Sequence, residues 1–402
     1  MNILIISDSY PPEIRSASRI MHDLVLELFS RGYKIIVATR HPRSNVSDLV
    51  NVKIYPPLTI EDGIRILRIH SLPIHNTNFL IRGISEFILP FQFLWQINKY
   101  VKQKIDILYL WSPPTPLALL GKFLTVHGKY LLNVQDMFPQ NAIDLGIIKQ
   151  PLIIKTFEYI EKVAYKSATK ITVHSPGNKS FLIQSKNVPK NKISIIPNMI
   201  DTNFYKGREN HVKILRRNSF KDKFIFLYAG AFGPSQGLEI IIQAAFEFKT
   251  IKDICFILVG EGIQKRKLKK LVEFYRLNNL IIKPLVTEDL YVSMLKEANV
   301  GLICLNSKNT TPVVPAKMMS YMAAKLPIAA FLNKESDGHS IIRKAKCGYS
   351  ACSDNPEQIK NIISKMYSKR MTLDQLGKNG FDYVSKYYSN SVVVDKIERL
   401  FL

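Results

Sequence analysis

The sequence predicts an α/β protein built from two doubly wound, parallel-sheet domains. Three observations carry that expectation. Short apolar runs alternate with helix-period stretches from residue 3 onward. The alternation breaks once, in a polar and basic stretch within 204–223, and then starts again. A chain of 402 residues also exceeds what one ordinary core serves. Strands that alternate with helices bury both faces of their sheet, which is the parallel, doubly wound arrangement.

Taken in chain order, Ile3–Ile6 is a strand, too short to span a membrane, followed by a turn at Tyr10-Pro11-Pro12. Ile20, Leu24 and Leu28 then repeat at four-residue spacing, one face of a helix that Gly32 ends. Further strands are expected at Ile35–Ala38, Ile64–Ile69, Ile107–Leu110, Tyr130–Val134 and Ile171–Val173. After the break, Phe224–Tyr228, Cys255–Val259, Ile281-Ile282, Gly301–Leu305 and Ile328–Phe331 form the second series. The expected domains are 1–205 and 206–384. The final helix, within 385–402 and centred on Val392–Leu402, is placed to cross back to the first domain.

One segment departs from the alternation. Phe79–Ile97 is rich in aromatic and aliphatic residues, is interrupted by Arg82, Glu86 and Pro90, and is followed by Lys99, Lys102 and Lys104. The interruptions argue against a bilayer span. Two readings stay open: a helix lying in the headgroup region, or a helix buried in the first domain.

Hydrophobic residues make up 47% of the chain and charged residues 22%, which excludes a disordered protein. Cys255, Cys304, Cys347 and Cys352 are spaced neither as CxxC nor as a Cys/His cluster, so reduced thiols are expected and no metal site. Met1-Asn2 runs directly into the first strand, without a basic leader or cleavage site, so the chain is expected to stay in the cytoplasm. The net charge of +24 is spread: 24 Lys/Arg stand against 14 Asp/Glu in residues 1–205, and 32 against 18 in the rest. Such a field draws phosphorylated substrates, anionic lipid or nucleic acid.

Four segments carry candidate chemistry. Ser7–Arg19 joins the first strand to a helix; its small residues let backbone amides approach an anion, with Glu13, Ser16 and Arg19 as a phosphate or acceptor loop. Asp136 directly follows the strand that ends at Val134, at the carboxyl edge where such folds place reactive groups. Met137, Phe138 and Pro139 fix it there, and it could take a proton or hold a sugar hydroxyl. Gly230, Gly233 and Gly237 lie between a strand and an apolar helix, a phosphate-approach loop that is neither GxGxxG nor a Walker sequence. Pro312 and Pro315 fix the start of a helix whose first turns hold Lys317 and Ser320. Each segment taken alone also reads as an ordinary turn or cap.

Together they resemble the retaining bacterial glycosyltransferases of the GT-B fold (family 4 type), and most of all the L-fucosamine transferases of O-antigen and capsule assembly. The resembling residues run nearly end to end: Tyr10-Pro11-Pro12-Glu13, Trp111 through Leu117, Asn133 through Pro139, Ile195 through Asp201, Tyr228-Ala229-Gly230 through Gln236-Gly237-Leu238, and Pro315-Ala316-Lys317 through Tyr321-Met322-Ala323.

The resemblance implies two Rossmann-like domains facing a cleft. The second would hold the donor, with Gly233, Gln236, Gly237, Lys317, Ser320 and Tyr321 about its diphosphate and ribose. The first would hold the acceptor, with Asp136 toward the anomeric carbon. It implies a UDP-linked donor carrying an N-acetylated or deoxy sugar, and an acceptor that is a lipid-linked oligosaccharide of O-antigen, capsule or exopolysaccharide. The enzyme would be metal-independent, without a cofactor, and peripheral on the inner face of the bacterial plasma membrane.

The chain also departs from the wider family. The Arg and Lys of the family's glycine turn fall on Ala231 and Gln236, and its paired glutamates on Pro312 and Ser320. The cations left to neutralise a departing diphosphate are Lys265, Arg266 and Lys317, with Lys317 first among them. Two rival functions remain. A sugar-nucleotide epimerase would share the architecture but turn over donor without acceptor. A nucleic-acid-binding protein would use the charge, yet no binding module or concentrated basic tract is present, so nucleic acid is not expected as a partner.

Overall fold

The computed structural model describes residues 1–42, 55–74, 79–124, 126–206, 214–215, 220 and 222–402. Gly207, Arg208 and Glu209, within the expected break, lie outside the described residues. The chain divides into two compact units: Met1–Met199 together with Asn390–Leu402, and Ile200–Ser389.

In the first unit, eight strands form one sheet: β1 (Asn2–Ile6), β2 (Lys34–Arg40), β3 (Leu58–Glu61), β4 (Ile64–Ile69), β5 (Ile107–Ser112), β6 (Lys129–Val134), β7 (Lys170–Val173) and β8 (Ile193–Ile195). Their order is β3-β4-β2-β1-β5-β6-β7-β8, and every pairing is parallel except β3 with β4. In the second unit, β9 (Phe224–Ala229), β10 (Ile254–Val259), β11 (Leu280–Lys283), β12 (Val300–Cys304), β13 (Ile328–Leu332) and β14 (Gly348–Cys352) stand in the order β11-β10-β9-β12-β13-β14, all parallel. Two parallel-sheet α/β units are the fold class that the alternation predicts. The expected strands are present; the three that the sequence reading missed, β3, β8 and β14, all lie at sheet edges.

Both faces of each sheet are covered, which explains the apolar runs. Side chains of a strand alternate between faces. Leu4 and Ile6 therefore enter the core that contains Leu89, Phe93 and Ile97, while Ile3 and Ile5 enter the one that contains Leu24 and Leu28. The latter residues belong to helix α1 (Ser16–Ser30), where the four-residue spacing placed a buried face. The last helix, Asn390–Glu398, adds Val393, Val394 and Ile397 to that same core, so the chain's end returns to the first unit.

Helix α2 (Phe79–Tyr100) spans that segment and has two apolar faces in different surroundings. Leu89, Phe93 and Ile97 are buried in the core. Ile84, Ile88, Phe91 and Trp95, also at helical spacing, form a second apolar stripe that is exposed. Among the described residues no helix is long and apolar enough to cross a membrane. All four cysteines are free thiols.

Candidate functional site

In the second unit, β9 lies between β10 and β12, where the strand order reverses direction. Open α/β sheets bind ligands outside the carboxyl ends of strands at such a switch point. The glycine turn leaves β9 at this place, and the loop after β12 leads from the neighbouring strand to the Lys317–Ala323 helix.

Side chains from both loops converge there. Lys317 Nζ donates to Gln236 Oε1 at 2.8 Å and lies 4.9 Å from the centre of the Tyr228 ring. The Tyr228 hydroxyl donates toward the Ala231 carbonyl at 2.8 Å and toward Gln236 Oε1 at 3.0 Å. Gly230 adjoins this cluster: a Cβ there would stand 3.1 Å from Lys317 Cε, a tight contact. Gly237 has a φ of +59°, and a Cβ on it would meet Asn306 Cα at 3.0 Å. Asn306 in turn joins the two loops: its N–H donates to Ser235 O at 2.9 Å and its Nδ2 to Pro234 O at 3.0 Å. Around Gly233 no atom lies within 4 Å of an added Cβ, so the backbone there faces open space.

The electrostatics single out Lys317. It makes no ion pair among the described residues, whereas Lys265 is held by Glu261. Burial without a carboxylate lowers its pKa to about 8, because desolvation disfavours the ammonium form. A desolvated cation without a carboxylate partner, beside open backbone, is an arrangement that a diphosphate would stabilise. The Gln236 amide oxygen is what holds the Lys317 ammonium.

Two expected donor residues have other surroundings. Ser320 is half-buried and shares a hydrogen bond with Tyr291. Tyr321 corrects the sequence reading: it is fully buried, receives the Ala229 N–H on its hydroxyl at 3.1 Å and donates to Leu302 O at 3.3 Å. A ring so enclosed braces β9 against β12 from behind the turn and presents nothing to a ligand. Sequence reading also missed Gly260 and Gly262, which follow β10 and press on the glycine turn. An added Cβ would stand 1.9 Å from Gly230 O at the first and 2.5 Å from Phe232 O at the second. Their signal was present, two glycines directly after an apolar strand.

In the first unit, Asp136 follows β6. Gln135 N–H donates to Ser112 O at 2.9 Å, extending the β5–β6 ladder by one residue, and Asn198 Nδ2 donates to Gln135 Oε1 at 2.7 Å. Met137 is buried in the core, and Phe138 packs edge-on against Phe157 at 4.9 Å. Asp136 is thus pinned on both sides while its own side chain keeps accessible surface. Surrounding protein still withdraws enough solvent to raise its carboxyl pKa, with the Arg82 charge opposing the rise.

The loop after β1 is more self-contained. Glu13 is buried and accepts the Ser9 hydroxyl at 2.9 Å, with Arg15 Nε at 4.0 Å. Ser16 opens α1 with an exposed side chain. Arg19 pairs with Asp23 at 3.0 Å, so a phosphate would have to compete for it. Arg68 was not anticipated: almost completely buried, it pairs with Glu61 and donates to Pro11 O at 3.0 Å, bracing this loop. Among the described residues no three His, Cys, Asp or Glu side chains gather as metal ligands would.

Comparison with known proteins matches both halves. Residues 17–204 match the model of Glycosyltransferase Family 4, and residues 212–383 that of Glycosyl transferases group 1. The chain is 23% identical to the probable glycosyltransferase WbjE of Pseudomonas aeruginosa, over 81% of this chain and 82% of the relative. It is 21% identical to the UDP-Gal:alpha-D-GlcNAc-diphosphoundecaprenol alpha-1,3-galactosyltransferase of Escherichia coli, over 86% of each. Its fold is similar to that of sucrose-phosphate synthase from Thermosynechococcus elongatus, with a TM-score of 0.79 at 16% identity, covering 100% of this chain and 98% of that one.

Proposed function

Since this chain belongs to the glycosyltransferases of the GT-B fold and acts on nucleotide sugars, we propose that it moves an N-acetylated or deoxy sugar from a UDP-linked donor to a lipid-linked oligosaccharide. The product would be a unit of O-antigen, capsule or exopolysaccharide, made at the cytoplasmic face of a bacterial membrane. The relative from Escherichia coli, whose name states a UDP-Gal donor and a diphosphoundecaprenol-linked acceptor, supports the UDP carrier and the lipid-linked acceptor of this reading.

The observation that carries it is the Lys317–Gln236–Tyr228 cluster beside the open backbone at Gly233. Glycosyl transfer passes through an oxocarbenium-like state as the nucleoside diphosphate leaves with growing negative charge. In this proposal Lys317 and the amides of the glycine turn receive that charge, and no metal takes part. Asp136, fixed but accessible, orients the sugar or shares the acceptor's proton.

A thermal-shift panel of UDP-, GDP- and dTDP-linked sugars tests the donor assignment, because a true donor stabilises the folded protein by mass action. A UDP-sugar should give the largest rise in Tm. The same shift should persist in Asp136→Ala while turnover falls by about 100-fold or more. A panel with no response to any UDP-sugar, or an Asp136→Ala enzyme within a few-fold of normal turnover, would overturn the corresponding half of the proposal.

A further inference from the structure

The exposed side of α2 forms more than a stripe. Phe87, Pro90, Phe91 and Leu94 on this helix face Pro116, Leu119 and Phe123 across a cavity of about 170 Å³ whose lining is entirely apolar. Phe91 is 68% exposed and Phe123 53%, so among the described residues two large rings stand at the surface. Leaving such rings in water costs roughly 25 cal/mol for each Å² of apolar area, so a cover of matching chemistry is favoured. Pro90 has no N–H to offer its helix and presents its ring to the cavity instead.

Two features of the surroundings say what that cover is. The first is continuity with the candidate catalytic segment: Phe87 packs on Phe157 at 5.3 Å, and Phe157 on Phe138 at 4.9 Å, two residues from Asp136. The second is charge. Arg82, one turn before the cavity and 45% exposed, is paired with Glu86 at 2.7 Å, so an anionic head would share it with that carboxylate, and Lys122 adjoins Phe123. A ligand that fits both has an anionic head near Arg82 and a branched apolar chain running along the rings. The geometry points to a binding site for the isoprenoid chain of a polyprenyl-phosphate-linked acceptor, in the cavity between α2 and the Pro116–Phe123 segment. The inference rests on the lipid-linked acceptor proposed above and adds that the protein holds the chain itself, not only the glycan.

The test uses the full chain and farnesyl phosphate as probe, below its micellar concentration, with inorganic phosphate and n-dodecyl phosphate alongside. The reporter is built in: Trp95 is 63% exposed on the same helix, and the second tryptophan, Trp111, is buried. Farnesyl phosphate should protect Trp95 from acrylamide quenching, with Kd raised at least tenfold in Phe91→Gln and Phe123→Gln. Both replacements are at exposed positions, and an unchanged first-unit transition in a calorimetric scan verifies that the variants fold. Binding of farnesyl phosphate that the variants leave intact, or no binding at all, overturns the site. Equal binding of n-dodecyl phosphate overturns the isoprenoid in favour of a general lipid surface. Transfer of radiolabelled sugar onto bacterial membranes separates the two levels of the argument. Organic-extractable product formed equally well by wild type and variants removes only the cavity. Product that never enters the organic phase removes the lipid-linked acceptor itself.

Discussion

At the scale of single residues, Lys317 makes the sharpest demand. Its pKa of about 8 in the free protein lies below the ordinary lysine value, so between pH 8 and about 10.5 the unfolded chain binds a proton that the folded one does not. The contribution of this side chain to stability therefore rises with pH across that window. Nucleotide affinity runs the other way. A bound diphosphate favours the ammonium form, so binding above pH 8 must take up a proton, and UDP affinity should fall by up to about tenfold per pH unit. Calorimetry in buffers of different ionisation enthalpy reads that proton directly. Lys317→Met should bind UDP more weakly at pH 7 and lose the pH dependence; a wild-type affinity flat from pH 7 to 9.5 would sink the role given to Lys317. Sequence reading found this lysine from its place at a helix start. It could not find Tyr228, since a tyrosine inside an apolar strand has the signature of core, and only the fold turns its hydroxyl toward Gln236. The enclosure of the Tyr321 side chain was not legible for the converse reason: nothing in a short motif tells which side of a seven-residue helix is buried.

Elements were legible in proportion to how much of their surface is buried. Central strands such as β1, β9 and β12, buried on both faces, appear as unbroken apolar runs. The edge strands β3 (Leu-Thr-Ile-Glu) and β14 (Gly-Tyr-Ser-Ala-Cys) are short or half-solvated and carry no comparable signal, whereas the edge strand β11 kept an apolar pair, Ile281-Ile282. The glycine turn after β9 is an element of another kind, set by backbone conformation. Gly237 occupies the left-handed region, and its Cα lies against the backbone of Asn306, whose two hydrogen bonds tie the turns together. An alanine there meets both a conformational cost and a close contact, so Gly237→Ala should destabilise the protein by about 1–3 kcal/mol. UDP affinity should fall with it, because the Asn306 bonds to Pro234 and Ser235 are forced apart. Urea unfolding gives the first quantity and the thermal shift the second; a variant as stable as wild type would show that this turn tolerates a side chain.

For the whole molecule, the two-unit architecture and the spread of charge were legible, but the route of the chain was only partly so. The chain leaves the first unit at Met199 and re-enters it at Asn390, so the first core is completed by the last residues of the sequence. Val393, Val394, Ile397 and Phe401 are all buried there, and Arg31 of α1 holds Asp395 at 2.7 Å and Glu398 at 2.6 Å. Fully burying each of four such side chains contributes roughly 1.5–3 kcal/mol, a sum comparable with the net stability of a domain. Deleting 390–402 should therefore leave the first unit unable to hold its fold. A milder change makes the argument quantitative. Ile397→Ala removes a buried side chain from the first unit alone and should cost about 2–5 kcal/mol. In a calorimetric scan this loss belongs to the first unit's transition, whereas UDP should raise the transition of the second. If Ile397→Ala lowered the UDP-responsive transition and left the other in place, the assignment of the terminal helix to the first unit would fail.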